Sequence, residues 1–156
     1  MADLNRWPED MSRDVASLIS ELRGYTAADF DYMKGATGPE RLYALCEEAE
    51  ALPDPSVLFQ EFFALIERLS DSELGTPGPL VHTMEEHSGH YEQLLADSLK
   101  RKPTDLTVWM VNRILNGEPA DSAFWIDQLS AAAEHPSATP LVKEQALHFI
   151  EFQKKK

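Results

Sequence analysis

Apolar residues recur every three or four positions along most of this chain, and strict apolar–polar alternation over four or more residues is nearly absent. This spacing is the period of α-helices that bury one face, whereas alternation would indicate strands. The fullest apolar stripe has members at 58, 62, 65, 66 and 69, and similar stripes cover 108–115 and 141–150. The pattern therefore predicts an all-α chain of eight or nine short helices.

Residues that favour helix starts precede several of these stripes. Asp54 and Thr104 are predicted N-caps, and a Thr-Pro pair stands before the stripes near 80 and 141. The similar openings Thr76-Pro77 and Thr139-Pro140 favour repeated helix pairs, as in a stack of HEAT-like α-hairpins. The spacing of the pairs is irregular, so a compact orthogonal bundle is an equally open architecture.

The length of 156 residues and the hydrophobic content of 43% predict one domain over 1–156 with a buried core. No Gly/Ser-rich linker divides the chain. The basic residues that follow Gln153 are expected to make 153–156 a frayed, solvated tail on the last helix.

The chain contains 27 acidic and 14 basic residues, a net charge of −13 with neutral histidines. This balance argues against direct nucleic-acid binding, which needs Lys and Arg for phosphates, and against anionic membranes. The charge is uneven, since residues 1–75 carry −10 and residues 76–156 carry −3. A single cysteine, no leader-like segment and no long apolar run predict a soluble cytoplasmic protein.

One polar cluster, at 82–90, offers candidate chemistry. On a continuous helix His82, Glu86 and His90 would share one face and offer ligands for zinc. The run matches neither His-Glu-x-x-His nor His-x-x-Glu-His, and Gly89 is placed to interrupt the helix. We therefore expect no metal, no cofactor and no enzymatic activity, and we interpret the histidines as surface or capping residues.

The remaining chemically notable residues are expected to serve the fold. Cys46 lies on an apolar helix face, which predicts a small buried side chain and not a nucleophile. Trp109, Phe124 and Trp125 are expected in the core, and replacing Trp109 there by Ala would cost about 3–5 kcal/mol. Arg113 is expected to form an ion pair or to bind helix carbonyls.

Two segments resemble immunity proteins of bacterial polymorphic-toxin and contact-dependent growth-inhibition systems. They are 74–85, with the sequence LGTPGPLVHTME, and 103–116, with the sequence PTDLTVWMVNRILN, and they cover about a fifth of the chain. The rest of the chain shares the general character of such proteins, which are small, acidic and helical. The resemblance implies a protein that binds a cognate toxin, often a nuclease, and neutralises it.

Our hypothesis for the mechanism is stoichiometric occlusion without chemistry. A nuclease that grips phosphates has a basic cleft, and a strongly acidic partner is drawn to it by electrostatic steering. We expect an acidic face of the N-terminal half to contact the toxin, while the two resembling segments hold the fold. The candidate partner-binding residues are Asp29, Asp31, Glu47, Glu48, Glu50, Asp54, Asp71 and Glu73.

Three other functions remain open. A HEAT-like adaptor or regulatory scaffold would bind a protein in a groove of mixed charge and would have no toxin encoded beside it. An enzyme would use the histidine cluster and would keep stoichiometric zinc after purification. A mimic of nucleic acid would share the acidic character and bind many basic nucleases instead of one.

Overall fold

The computed structural model of the chain describes residues 13–156, and these residues form eight α-helices and three 3₁₀ helices without a strand. The all-α prediction is confirmed. The α-helices are α1 (Val15–Gly24), α2 (Gly38–Glu50), α3 (Phe59–Arg68), α4 (Gly78–Glu85), α5 (Glu92–Arg101), α6 (Asp105–Asn116), α7 (Ser122–Ala133) and α8 (Pro140–Lys154). The 3₁₀ helices are Ala27–Phe30, Tyr32–Lys34 and Pro55–Leu58.

Contacts between residues divide the described chain into two compact units. The first unit comprises 13–65 and Asp71–Tyr91, and the second comprises Ile66–Ser70 and Glu92–Lys156. The boundary falls within α3 at Leu65, so this helix contributes residues to both units. One domain over 1–156 stays a prediction, and each unit is described by itself below.

The first unit is built around the apolar face of α2. This helix packs on α4 and on the 3₁₀ helices Ala27–Phe30 and Pro55–Leu58. Gly38 opens α2 where a Cβ atom would collide with the backbone carbonyl of Asp29, so the close approach of the two elements requires glycine. The largest fully buried side chains of this unit are Leu18, Leu22, Tyr25, Leu42, Leu45, Leu58, Phe59, Phe62, Phe63, Leu65 and Leu80.

The helices of the second unit contact one another in a regular pattern along the sequence. Each of α5, α6 and α7 packs on the next helix in sequence, and α5 and α6 also pack on the helix after that. Contacts limited to near neighbours are typical of stacked α-hairpins. Thr104 caps α6 as predicted, because its hydroxyl accepts a hydrogen bond from the Thr107 backbone N–H at 3.1 Å.

The aromatic residues of the second unit differ from expectation. Trp125 is 3% exposed and lies in the core as predicted. Trp109 is only half-buried, and the Arg113 guanidinium lies 5.3 Å from its ring centre. These two residues are four positions apart and share the edge of α6 beside its buried face. Phe124 is 43% exposed, so the core assignments of Phe124 and Trp109 were wrong.

The C-terminal residues continue the last helix. α8 extends to Lys154, so the first two residues of the predicted frayed tail are helical. Gln153 donates a hydrogen bond to Asn112 Oδ1 at 2.7 Å, and Lys156 donates one to Asn116 Oδ1 at 2.9 Å. These contacts join the end of α8 to α6.

The two tryptophans of the second unit allow a direct test of its core. Trp125→Ala should lower the free energy of unfolding by about 3–5 kcal/mol, because it empties a closed site. Trp109→Ala should cost less, roughly 1–2 kcal/mol, since part of its surface is already in contact with water in the folded protein. Urea unfolding of both variants measures the difference. Equal losses would contradict the packing described here.

Candidate functional site: the acidic first unit

The negative charge of the chain is concentrated in the first unit. Its described residues include 14 acidic and 4 basic side chains, a net charge of −10 with neutral histidines. Those of the second unit include 10 acidic and 9 basic side chains, a net charge of −1. All eight predicted partner-binding residues belong to the first unit. The asymmetry along the sequence is therefore a property of one folded unit.

Arginines neutralise part of this charge and hold the unit together. The ion pairs are Arg13 with Glu21 and Glu48, Arg23 with Glu61, and Arg41 with Asp29, at 2.5–3.3 Å. Two predicted contact residues, Asp29 and Glu48, are therefore engaged within the fold. Glu48 and Arg13 are 35 positions apart, so no local sequence pattern predicts their pairing.

The buried phenol of Tyr25 extends the Arg13 network. Its hydroxyl donates a hydrogen bond to Glu21, and the Arg41 guanidinium lies 4.9 Å from its ring centre. Burial and the bond to Glu21 raise the pKa of Tyr25. Burial alone would raise the pKa of Glu21, but hydrogen bonds from Tyr25 and Arg13 outweigh it and lower that pKa. Glu21 therefore remains ionised inside the network.

Several predicted contact residues bind backbone N–H groups, either at the starts of 3₁₀ helices or in the loop before α4. Asp31, Asp54 and Glu73 accept hydrogen bonds from the backbones of Met33, Ser56 and Gly75 at 3.0–3.1 Å. Asp29 accepts one from the Thr26 backbone at 2.8 Å. Hydrogen bonds from Ser56 lower the pKa of Asp54, and the Thr26 backbone lowers that of Asp29. Asp29 and Asp54 therefore keep their charge, and hydrogen bonds hold all four carboxylates in place.

Glu50 contacts a histidine that sequence analysis assigned to a different cluster. Its carboxylate lies 3.1 Å from His87 Nε2, across 37 positions of sequence. The His87 ring also lies 6.0 Å from that of buried Phe59. The contact joins the end of α2 to the turn after α4.

The outer face of α2 carries an exposed row of acidic side chains around a tyrosine. Glu40, Tyr43, Glu47 and Glu50 are all exposed, and Tyr43 retains 53% of its accessible surface. Their spacing of three, four and three positions places them on one side of a helix with about 3.6 residues per turn. The buried residues Leu42, Leu45, Cys46 and Ala49 lie on the opposite side. We call these four exposed residues the α2 stripe.

The side chains of Glu40 and Glu47 form no hydrogen bond or ion pair with any described residue. The same is true of Asp71, which is also exposed. Glu47, Glu50 and Asp71 were predicted as contact residues, whereas Glu40 and Tyr43 were not. The helical spacing of Glu40, Tyr43 and Glu47 was visible in the sequence and would have identified them.

The residues of the suggested zinc cluster do not share a helix. His82 lies on α4, which ends at Glu85, so Glu86 and His90 lie beyond it. Gly89 adopts a φ of 98°, in the region that favours glycine, and turns the chain between them. Within 13–156 no group of three or more His, Cys, Asp or Glu side chains is arranged to hold a metal ion.

Cys46 is buried on the inner face of α2, as predicted. Burial raises the pKa of its thiol to about 12, although a hydrogen bond with Thr83 acts in the opposite direction. The neutral thiol is the form that the fold stabilises, and thiolate forms only at strongly alkaline pH.

The resemblance to immunity proteins depends on the two short segments, because comparison with known proteins adds no match. No protein-family model matches the chain, and no curated protein or solved structure matches it. Both segments contain buried residues of the fold, among them Leu80 and Val108. None of the helices within 13–156 has the length and apolar character needed to cross a membrane.

The environment of Cys46 predicts a protected thiol. Between pH 7 and 9 the folded protein should react with a thiol-specific disulfide reagent at least about 100-fold more slowly than the urea-unfolded chain, because little thiolate forms. Absorbance of the released thiol measures both rates, and Cys46→Ser provides the blank. Similar rates would contradict burial of the thiol. Because its pKa is raised, the stability that Cys46 contributes is complete below pH 9 and is lost toward pH 12.

Proposed function

We propose that this chain is a stoichiometric inhibitor that binds a cognate protein toxin, a nuclease with a basic cleft, and blocks it without chemistry. The observation that carries the proposal is the α2 stripe, in which three carboxylates and a tyrosine are exposed on one helix face of a unit with charge −10. The resemblance of two segments to immunity proteins supports the choice of a toxin as the partner.

A regular row of negative charges is complementary to a cleft that binds the phosphates of nucleic acid. Residues 40 to 50 span about 15 Å along the helix, so the stripe offers three carboxylates on a rigid support. Such a row occupies the cationic surface that would otherwise contact phosphates. The charge of the unit also accelerates encounter, because opposite fields steer the two proteins together.

Tyr43 supplies an aromatic anchor, a contact that charged side chains alone cannot provide. Complexes dissociate slowly when a few buried anchors fill pockets of the partner, and tyrosine is one of the residues most often found in that role. Tyr43 stands between Glu40 and Glu47 and exposes its ring. On binding, the ring would lose its contact with water while the flanking carboxylates pair with basic side chains.

Carboxylates whose positions are fixed by hydrogen bonds are suited to the rim of the same interface. Asp31, Asp54 and Glu73 are held by backbone hydrogen bonds and keep solvent-accessible surface. Fixed side chains lose little conformational freedom on binding, so they lower the entropic cost of association.

The second unit favours one further candidate, a helical adaptor. The pattern of contacts between its helices is that of stacked α-hairpins. Its described residues carry a net charge of only −1. An adaptor of this kind would bind its partner through the second unit, and its binding would not depend on the α2 stripe.

Co-expression with the protein encoded immediately upstream tests the inhibitor proposal. A tagged form of this chain should capture that protein in a one-to-one complex and rescue the cells from its toxicity. Capture without any toxicity would favour the adaptor. Capture of many unrelated nucleases would instead support a general mimic of nucleic acid.

Substitutions in the α2 stripe locate the interface. Glu47→Lys should reduce the association rate about tenfold at low salt, because it reverses an exposed charge. Tyr43→Ala should raise Kd roughly 30-fold through faster dissociation, as expected for an anchor worth about 2 kcal/mol. Surface plasmon resonance measures both rate constants.

A matched variant in the second unit controls this experiment. Glu144→Lys makes the same charge change at an exposed position of α8, in the second unit, and should leave binding close to that of the unchanged protein. Glu48→Lys is unsuitable for mapping, because loss of the Arg13 ion pair would cost roughly 1 kcal/mol of stability. Normal binding by both stripe variants, with weaker binding by Glu144→Lys, would contradict the assignment.

A further inference from the structure

The second unit contains a cleft whose residues take no part in the proposed inhibitor surface. It has a volume of about 340 Å³ and lies between α5 and the start of α7. Its lining residues are Glu92, Gln93, Ala96, Asp121, Phe124 and Trp125. Two of these side chains are acidic, two are aromatic and none is basic.

Asp121 occupies a helix-capping position without capping the helix. It is the N-cap residue of α7, yet its carboxylate accepts no hydrogen bond from the backbone of the first turn. Thr104 and Thr139, at the same position of α6 and α8, both form that bond. The Asp121 side chain has no hydrogen bond or ion pair with residues of the described chain, and it borders the cleft. Its negative charge is therefore available to a ligand.

The aromatic side of the cleft is anchored in the core. Trp125 is 3% exposed, and Phe124 packs against it edge to face with the ring centres 5.0 Å apart. Phe124 nevertheless keeps 43% of its surface exposed. An aromatic ring that is held from below and open above attracts a cation through its electron-rich face.

We propose that this cleft binds the guanidinium group of an arginine side chain on a partner protein. A guanidinium is planar, so it stacks on an aromatic ring while its N–H groups donate to a carboxylate such as that of Asp121. An ammonium group is more strongly hydrated and cannot stack in this way. The proposal does not depend on the α2 stripe and stands whether or not the partner is a toxin.

A titration with N-acetyl-arginine amide, followed by two-dimensional ¹H–¹⁵N NMR, tests the site. The expected changes are confined to the backbone signals of 92–96 and 121–125, with a Kd in the millimolar range. N-acetyl-citrulline amide has a similar shape without the charge and should cause no such changes. Nα-acetyl-lysine amide, whose side-chain ammonium group is free, should bind several-fold more weakly than the arginine compound. Equal responses to arginine and either analogue would overturn the assignment.

Variants of the cleft separate specific binding from general attraction to an acidic protein. Asp121→Asn and Phe124→Leu should each weaken binding roughly three- to fivefold. Both positions are exposed, so both variants should keep the thermal midpoint within a few degrees. Asp127→Asn removes the same charge from an exposed position of α7 outside the cleft and should leave the Kd unchanged. A Kd that responds equally to Asp121→Asn and Asp127→Asn would overturn the proposal.

One additional probe distinguishes a protein side chain from free arginine as the source of the group. Free L-arginine differs from the amide only in its charged α-ammonium and α-carboxylate groups, and a site for the side chain alone makes no specific contact with either. It should therefore bind no more tightly than the amide. Tighter binding of free arginine would overturn the assignment to a partner protein.

Discussion

Repulsion among its carboxylates is the main electrostatic cost of folding the first unit. Fourteen acidic side chains share that unit with four basic ones, so most of its negative charge has no cation to pair with. The unit compensates in two ways. Arginines hold carboxylates that lie near the core, as Arg13 does with Glu21 and Glu48. Other carboxylates bind backbone N–H groups at the starts of short elements, where partial positive charge is available.

Of the other carboxylates, Glu40 and Glu47 lie on the outer face of α2, together with Glu50, which contacts His87. Since the inner face of this helix is apolar, its acidic residues project into solvent on the opposite side. The row formed by Glu40, Glu47 and Glu50 repels itself and is stabilised by any cationic surface that covers it. The same distribution of charge that strains the isolated unit therefore favours association with a basic partner.

Helical periodicity predicted the elements well because their stability depends on local spacing and caps. Thr104 and the apolar stripe of α6 are examples. Burial at the edge of a stripe depends on neighbouring helices, which explains why Trp109 and Phe124 were assigned to the core. The ion pair of Glu48 with Arg13 and the contact of Glu50 with His87 join positions 35 and 37 residues apart, and no local pattern encodes them. The α2 stripe could have been predicted from the sequence, since it follows from helical spacing alone.

The salt dependence of the binding kinetics tests whether the charge of the first unit drives association. If the charge of the first unit drives association, raising the salt concentration from about 20 to 300 mM should slow association with the captured partner at least tenfold. Dissociation should change far less, because it depends on the buried anchor. An association rate that does not respond to salt would contradict the proposal that charge drives association.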